Sequence, residues 1–394
     1  MTRDNIKEEI LKIENNNVLL ELATGTGKSK LAIDLMKKYN PKSLLIIVPR
    51  LVLIDNWKHE LTKFKASRFI PRITFSTYVG LNKIQMYNSI FDMCICDEAH
   101  HLTDRALEHL QNIPRSRNIL LSATVTRNML YTFSYNFKDL YHYKIGLKET
   151  IQSDILPDPR VILIPLKLNN SIPTESIWKN PKGTEPVIET SYATRWQYIK
   201  QKKYKVRIYC TEQQYYNDLS DTIEWYKKKA ISTRNDAMKN RWLKLCGDRL
   251  KWLSDKKSKF LLELDKILKD ERILIFCNSI EQTELFGHCI NSKNKDSMVN
   301  LNSFNKGKIN HISSVNMLNE GANLYNCKVG IFGVLNSSDI MVVQKTGRIL
   351  RHKEPIIIIP YYVGTREEEL KDKMLENYNP ELIETITNIN DLKI

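Results

Sequence analysis

In two long stretches of this chain, short apolar runs typical of strands alternate with segments whose apolar residues have helical spacing. Short apolar runs typical of buried strands occur in the first stretch, 5–144, at 18–22, 43–48, 73–76, 93–96 and 118–121. Similar runs occur in the second stretch, 271–363, at 273–277, 310–314, 329–332 and 356–359. Segments with the helical spacing of apolar residues, such as 31–38, separate these runs. The pattern predicts an α/β fold with two tandem domains, each built on a parallel sheet.

The region between the two stretches has a different pattern. Residues 146–170 contain Pro157, Pro159 and Pro165 around an extended segment, 161–164, and are interpreted as a crossing segment. Residues 171–192 are polar and are predicted to form a loop. Helical spacing then appears twice, at Tyr215, Leu219, Ile223 and Tyr226 and at Phe260, Leu261, Leu264, Ile267 and Leu268. A mainly helical insertion is therefore predicted here, and two short helices are predicted after it, at 367–377 and 380–387.

These patterns divide the chain into four parts. The first domain is placed at 1–145, the linker and helical insertion at 146–268, the second domain at 269–365 and the C-terminal helices at 366–394. A chain of 394 residues is long enough for two or three domains with their own hydrophobic cores.

Composition indicates a cytoplasmic protein. The longest strongly apolar run, 355–363, is far shorter than the ~20 residues that a membrane-spanning helix needs. The first residues are polar and of mixed charge, so no signal peptide is visible. None of the seven cysteines forms a C-x-x-C pair, which favours reduced, buried thiols over a metal or redox site. The high content of Lys, Asn and Ile is compatible with a bacterial cell or a virus-infected host cell.

Positive charge is concentrated in the middle of the chain. The formal net charge is +15, and residues 195–259 contain 18 Lys or Arg against 7 Asp or Glu, together with ten Trp or Tyr. Basic side chains neutralise phosphates and aromatic rings stack on bases, so this block is a candidate nucleic-acid contact. The same pattern also fits a small helical domain whose core contains the aromatic residues and whose solvent-exposed face carries the lysines. A surface that binds a protein partner is a further alternative.

A glycine-rich loop follows the first apolar run directly. Residues 18–22 lead into Ala23-Thr24-Gly25-Thr26-Gly27-Lys28-Ser29, and the helical segment 31–38 comes next. A strand, such a turn and a helix together form a phosphate-binding loop, in which backbone N–H groups and the helix N-terminus face the phosphates. Lys28 would reach the β- and γ-phosphates, and the hydroxyl of Ser29 would bind Mg²⁺.

Two adjacent carboxylates end the fourth apolar run. Asp97 and Glu98 follow residues 93–96, where the strand is predicted to end. Carboxylates at this position suit metal-dependent phosphate chemistry: Asp97 would bind Mg²⁺ and Glu98 would orient or deprotonate the attacking water.

These and six further segments, in order, resemble the motifs of superfamily 2 helicases and translocases of the DExH subset. The segments are 23–29 (motif I), 48–50 with 56–57 (Ia), 75–78 (Ib), 97–100 (II), 122–124 (III), 274–279 (IV), 318–324 (V) and 344–351 (VI). The resemblance is strongest to the restriction-translocase and phage branch-migrating helicase type. It implies two RecA-like domains that bind ATP and Mg²⁺ in the cleft between them.

The same resemblance implies roles for individual residues. The nucleotide would be bound by Thr24, Gly25, Thr26, Gly27, Lys28, Ser29, Gly321 and Asn323. Catalysis would involve Lys28, Asp97, Glu98, Gln344, Arg348 and Arg351, with both arginines reaching the γ-phosphate from the second domain. His100, Ser122 and Thr124 would couple the nucleotide state to domain contact. The nucleic-acid backbone would be contacted by Pro49, Arg50, Ser76, Thr77, Asn278 and Ser314.

The function expected from these residues is a nucleic-acid-stimulated ATPase that translocates on or remodels single-stranded, duplex or branched DNA. Three other functions stay open at this point: an RNA helicase, an ATP-gated clamp that does not separate strands, and the motor subunit of a restriction system.

Overall fold

The computed structural model describes residues 2–86, 89–179, 194–198, 203–315, 324–336 and 339–394. They form two lobes, each built on its own parallel sheet, and a helical insertion that packs on the second lobe. The predicted α/β fold with two RecA-like parallel-sheet domains and a mainly helical insertion is confirmed.

The first lobe contains a six-stranded parallel sheet in the order β3-β2-β4-β5-β1-β6. Its strands are β1 (Asn17–Leu22), β2 (Leu44–Val48), β3 (Ile73–Thr77), β4 (Phe91–Cys96), β5 (Arg115–Ser122) and β6 (Tyr141–Ile145). Its helices are α1 (Arg3–Lys12), α2 (Lys28–Tyr39), α3 (Val52–Lys63), α4 (Leu81–Met86), α5 (Asp104–Gln111) and α6 (Arg127–Asn136). Both faces of the central strands are covered by helices, which is why every residue of β2 is apolar and buried.

The five strands predicted for the first lobe are all present, but the sequence did not indicate β6. This strand lies at the edge of the sheet and pairs only with β1. Its sequence, Tyr-His-Tyr-Lys-Ile, is largely polar and only Ile145 is buried. An edge strand needs no continuous apolar run, so periodicity alone could not identify it.

The second lobe contains a seven-stranded sheet in the order β12-β13-β11-β14-β15-β7-β16. Its strands are β7 (Arg160–Leu166), β11 (Ile273–Phe276), β12 (Cys289–Ile290), β13 (His311–Ser314), β14 (Val329–Phe332), β15 (Ile356–Tyr362) and β16 (Ile383–Thr385). The helices of this part of the chain are α7 (Leu147–Gln152), which precedes β7, and α10 (Ile280–Thr283), α11 (Ser297–Asn305), α12 (Asp339–Ile349) and α13 (Arg366–Leu375).

One predicted element of this lobe was wrong, and another was extended as predicted but has a different role. The extended segment 161–164 does not simply cross between domains, because β7 pairs in parallel with β15 from Arg160 to Leu166. Pro165 is tolerated because β16 pairs only with residues 161–163, so no partner strand needs the missing N–H. The predicted helix 380–387 is a short helical turn followed by β16. Residues of the predicted linker and of the C-terminal part therefore complete the second sheet.

The insertion consists mostly of a long helical hairpin formed by α8 (Glu212–Thr233) and α9 (Asp236–Ile267). Thr211 and Asn235 cap the two helix N-termini through their side chains, and Arg234 makes the tight turn between the helices with a left-handed φ of 50°. A three-stranded antiparallel sheet, β8 (Glu175–Lys179), β10 (Lys203–Cys210) and β9 (Thr194–Tyr198), precedes the hairpin and was not predicted.

The C-terminal half of α9 attaches the hairpin to the second lobe. Leu261 and Leu264 are fully buried and pack in one apolar cluster with Ile273 and Ile331 of the second sheet. Lys257 forms an ion pair with Glu367 of α13, with both side chains almost completely buried and a separation of 2.5 Å. The hairpin is thus anchored along its base.

All seven cysteines lie in the described part of the chain, where they are free thiols and six are buried. Within that part, no helix combines the length and the apolar character that a membrane span requires.

Candidate active site and nucleic-acid cleft

The glycine-rich loop lies between β1 and α2, as expected. Gly25 and Gly27 have φ angles of 96° and 97°, a left-handed conformation that residues with a Cβ rarely adopt. Gly27 is the N-cap of α2 and offers no side chain, and the first turn contains no acidic residue, so the N–H groups there are left for an anion. The ammonium group of Lys28 donates a hydrogen bond to the carbonyl of Leu22, 3.1 Å away, across the loop. Together these features form a backbone cradle that suits phosphate groups, and it is called the phosphate cradle below.

The acidic pair lies directly after β4, on the same edge of the sheet. The indole N–H of Trp57 donates a hydrogen bond of 2.8 Å to Oδ2 of Asp97, and the hydroxyl of Tyr78 donates one of 2.7 Å to the Asp97 carbonyl. Glu98 has a left-handed backbone, with φ of 50°. Burial and the neighbouring charge of Glu98 raise the pKa of Asp97 to about 6, although the bond from Trp57 and the charge of Lys28 act in the opposite direction.

Basic residues from the second lobe share this site. Burial lowers the pKa of Lys28, the carboxylates of Glu98 and Asp97 oppose that change, and the charges of Arg348 and Arg351 lower the pKa further. Arg348 is only 5% exposed. The structure therefore brings the charged residues of the phosphate loop, the acidic pair and α12 with its following turn into one site, although they are far apart in sequence.

The two lobes touch at the phosphate loop itself. A Cβ atom added to Gly347 of α12 would lie 2.4 Å from the Cβ of Thr24 and 2.8 Å from the Thr24 carbonyl oxygen. Real Cβ atoms do not approach that closely, so only glycine permits this contact. The importance of Gly347 was not recognised from the sequence, although it lies within the expected motif VI.

The proposed coupling residues also contact one another. The hydroxyl of Ser122 donates to the carbonyl of Thr124 over 2.7 Å, and Nδ1 of His100 lies 3.3 Å from the same hydroxyl. His100 Nδ1 is also 3.5 Å from Oε2 of Glu98. These contacts connect the acidic pair to the end of β5.

The proposed nucleic-acid contacts lie at the carboxyl ends of strands in both lobes. Arg50 follows β2, and Asn278 follows β11; both line one cleft of about 450 Å³, together with Ser279, Ser292 and Val315. Ser314 is next to Val315, is buried, and its hydroxyl has no hydrogen-bond partner among the described residues. The cleft thus brings Arg50 of the first lobe beside residues of the second lobe, of which three are small and polar, Ile280 and Val315 are apolar, and Glu281 is acidic.

Besides Ser314, three of the proposed contacts are not among the residues that line this cleft. Pro49 follows β2, and Ser76 and Thr77 end β3. The Ser76 hydroxyl donates to the Thr77 carbonyl, and the Thr77 hydroxyl accepts from the backbone N–H of Gly80, so both side chains are used in the local turn. Gly321 and Asn323 lie outside the described residues.

The residues present fit ATP and Mg²⁺. The hydroxyl of Thr24 and the Nε2 amide of Gln344 are buried and have no hydrogen-bond partner among the described residues, which buried polar groups seldom tolerate. Both residues adjoin the phosphate cradle, since Thr24 belongs to the loop and Gln344 lies one helical turn before Gly347 in α12. Ser29 and Asp97 carry oxygen atoms of the kind that Mg²⁺ prefers as ligands.

Family comparisons agree with this geometry in both lobes. Residues 3–127 match the family model described as "Type III restriction enzyme, res subunit", and residues 256–353 match the "Helicase conserved C-terminal domain". The first range contains the phosphate loop and the acidic pair, and the second contains Gln344, Arg348 and Arg351. The chain belongs to superfamily 2 of the helicases. Proteins of this superfamily are in general ATP-dependent enzymes that act on nucleic acid.

Solved structures show the same fold as this superfamily 2 helicase. Saccharomyces cerevisiae Dbp5 bound to RNA and ADP BeF3 matches with 10% identity and a TM-score of 0.62, covering 98% of this chain and 90% of that one. A putative HsdR subunit of a type I restriction enzyme from Vibrio vulnificus matches with 15% identity and a TM-score of 0.56, covering 98% and 67%. The ATP-dependent Type ISP restriction-modification enzyme LlaBIII bound to DNA matches with 13% identity and a TM-score of 0.56, covering 98% of this chain and 31% of that enzyme. No curated protein sequence gives a significant match.

Proposed function

We propose that this superfamily 2 helicase is a Mg²⁺-dependent ATPase that translocates on or remodels duplex or branched DNA. The observation that carries the proposal is the contact of Gly347 in α12 with Thr24 of the phosphate loop, which brings the neighbouring Arg348 and Arg351 to the side of the site that holds Lys28, Asp97 and Glu98. Such an arrangement makes hydrolysis depend on lobe contact, because neither lobe alone contains all five charged groups.

Each residue has a definite task in this mechanism. Lys28 and the backbone of residues 24–28 bind the terminal phosphates, and Glu98 orients the attacking water and accepts its proton. Arg348 and Arg351 approach from the second lobe and neutralise the charge that develops on the transferred phosphoryl group. Ser29 and Asp97 hold Mg²⁺, which, when bound, offsets the charge of the phosphate oxygens.

The cleft between Arg50 and Asn278 is the proposed path of one nucleic-acid strand. Arg50 and the small polar residues of the cleft suit contacts to the sugar-phosphate backbone, which carry no base specificity. The carboxylate of Glu281, which also lines the cleft, lies 3.9 Å from the ammonium group of Lys251. The cleft is lined by residues of both lobes. Opening and closing of the ATP site would therefore change the distance between the strand contacts of the first lobe and those of the second.

The tip of the helical hairpin, residues 225–244, is a second proposed contact with DNA. It contains seven Lys or Arg and one acidic residue. Trp225, Ile231 and Leu243 are more than half exposed there. A projecting basic surface with exposed apolar side chains suits a duplex or a branch point, which offers phosphates and, at a junction, unstacked bases.

The site assignment is tested by two substitutions, Lys28→Ala and Glu98→Gln. Both are expected to abolish ATP hydrolysis, whereas Glu98→Gln should still bind ATP because it retains the phosphate cradle. The rate of ATP hydrolysis should be measured without nucleic acid and with single-stranded DNA, duplex DNA, a forked duplex and single-stranded RNA. Near-normal turnover by either variant would contradict the assignment.

The contribution of the hairpin tip is tested by reversing two charges, Lys228→Glu with Lys229→Glu. For forked DNA, the slope of log affinity against log salt concentration should decrease by roughly two, since each lost phosphate contact contributes about 0.9 to it. The matched control reverses Lys306 and Lys308, which are exposed on the second lobe. Equal salt dependence in both variants would show that the tip does not bind DNA.

The same nucleic-acid panel separates the other candidate functions. Stimulation by RNA alone would indicate an RNA helicase, a function that the fold shared with Dbp5 also accommodates. Stimulation by DNA without strand displacement would indicate an ATP-gated clamp. If no nucleic acid stimulates ATP hydrolysis, the result would indicate that a protein partner, such as other subunits of a restriction system, activates the ATPase.

A further inference from the structure

Two hydrogen bonds connect the proposed nucleic-acid side of the first lobe to the residue that would hold Mg²⁺. Trp57 belongs to α3, which begins two residues after Arg50, and its indole N–H donates to Oδ2 of Asp97 over 2.8 Å. Tyr78 directly follows Thr77 at the end of β3, and its hydroxyl donates to the backbone carbonyl of Asp97 over 2.7 Å. Each bond therefore starts in a segment that carries proposed nucleic-acid contacts and ends on Asp97.

Both donors are fixed in position. Trp57 is 3% exposed and packs in the apolar cluster of the first lobe, and Tyr78 is 7% exposed. The backbone N–H of Asp97 also donates to the carbonyl of Ile47 in β2 over 2.8 Å. Asp97 is thus held at its N–H, its carbonyl and one carboxylate oxygen, which restricts the direction in which Oδ1 can point.

We propose that Trp57 and Tyr78 are positioning residues that orient the Asp97 carboxylate for Mg²⁺ and transmit movement of the nucleic-acid-binding segments to it. The inference rests on the proposed function. Trp57 holds the carboxylate directly, so it sets the orientation of the metal ligand. Tyr78 holds the backbone of the same residue, so its influence is weaker. Groups that orient a metal ligand typically change metal affinity or activity 10- to 100-fold when they are removed.

The test compares Trp57→Phe with the wild-type protein. Phenylalanine keeps an aromatic ring in the apolar cluster and removes only the indole N–H group. Affinity for a fluorescent ATP analogue should be measured in EDTA and across a titration of Mg²⁺. In EDTA the variant should bind within about twofold of wild type, whereas the half-saturating Mg²⁺ concentration should rise at least tenfold. Stimulation of hydrolysis by DNA should fall in parallel.

Tyr78→Phe provides a second variant and Tyr39→Phe provides its matched control. Tyr39 also donates a phenolic hydrogen bond of 2.7 Å to a backbone carbonyl, that of Ile13, in the same lobe. Tyr78→Phe should raise the half-saturating Mg²⁺ concentration a few-fold, whereas Tyr39→Phe should leave it unchanged.

The outcomes distinguish this inference from the proposed function. If the wild-type protein shows no Mg²⁺-dependent nucleotide binding, the proposed function fails. If the wild-type protein shows it and Trp57→Phe has the same Mg²⁺ dependence, only the positioning role is overturned. If Trp57→Phe does not fold, a Tyr78→Phe protein that matches Tyr39→Phe in Mg²⁺ dependence overturns the inference equally.

Discussion

The buried ion pair between Lys257 and Glu367 determines how firmly the helical hairpin is attached to the second lobe. Lys257 is 0% exposed and Glu367 is 1% exposed, and their charged groups are 2.5 Å apart. The other carboxylate oxygen of Glu367 accepts the backbone N–H of Tyr362 over 2.9 Å. Burial lowers the pKa of Lys257, and the charge of Glu367 opposes that change. Neither charge has access to water, so each depends on the other.

We predict that Lys257→Met destabilises the protein by about 3–5 kcal/mol, which is the usual cost of leaving one buried charge without its partner. Methionine retains most of the apolar part of the lysine side chain, so the lost stability measures the effect of removing the ammonium group. The double variant Lys257→Met with Glu367→Gln should lose much less than the sum of the two single variants, because it leaves no uncompensated charge.

Urea unfolding followed by tryptophan fluorescence provides the assay, since five of the six tryptophans lie between residues 178 and 252. The matched control is Lys256→Met, the neighbouring residue on α9. Lys256 forms ion pairs with Glu175 and Glu212 at 2.6 and 2.8 Å, but it remains 27% exposed. Its substitution should cost no more than about 1 kcal/mol. Equal losses in the Lys256 and Lys257 variants, or strict additivity in the double variant, would refute the reasoning.

Two further predictions concern the lobe contact and pH dependence. Gly347→Ala should reduce ATP hydrolysis roughly hundredfold with little change in unfolding, because its Cβ would collide with Thr24 only when the lobes meet; unchanged turnover would contradict this. Burial disfavours charged His311, but Asp265, 2.7 Å away, raises the His311 pKa above its usual value. The stability that this pair supplies should therefore be present at low pH and lost as pH rises through the raised pKa, and His311→Gln should flatten unfolding stability measured from about pH 6 to pH 8.5. If stability changes with pH in the same way in the variant and in the wild type, the His311–Asp265 pair is not the cause of the pH dependence.

Features that depend on contiguous residues could be predicted from the sequence. The phosphate loop is a strand, a glycine-rich turn and a helix in direct succession, and Asp97 and Glu98 follow an apolar strand without interruption. Their placement at one edge of the sheet follows from parallel topology. The mainly helical character of the insertion was also predicted, from the helical spacing at 215–226 and 260–268, whereas its hairpin shape was not.

Features that depend on contacts between distant residues could not be predicted in this way. Edge strand β6 lacks an apolar run, and β7 becomes recognisable only through its pairing with β15. The bond from Trp57 to Asp97 joins residues 40 positions apart, and nothing in the composition of either segment indicates it. The close contact of Gly347 with Thr24 likewise exists only where the two lobes meet.

The position of β7 has a consequence for how the protein is made. Ribosomal synthesis delivers β7 before the whole insertion, but its partners, β15 and β16, emerge only near the end of the chain. Val161 and Ile162 of β7 are fully buried in the final fold. Until β15 and β16 are synthesised, this apolar strand has no pairing partners, and unpaired apolar strands are prone to aggregation. A fragment that begins at residue 269 would lack β7 and expose the edge of β15. Any continuous fragment of the chain that contains the whole second sheet therefore also contains the hairpin.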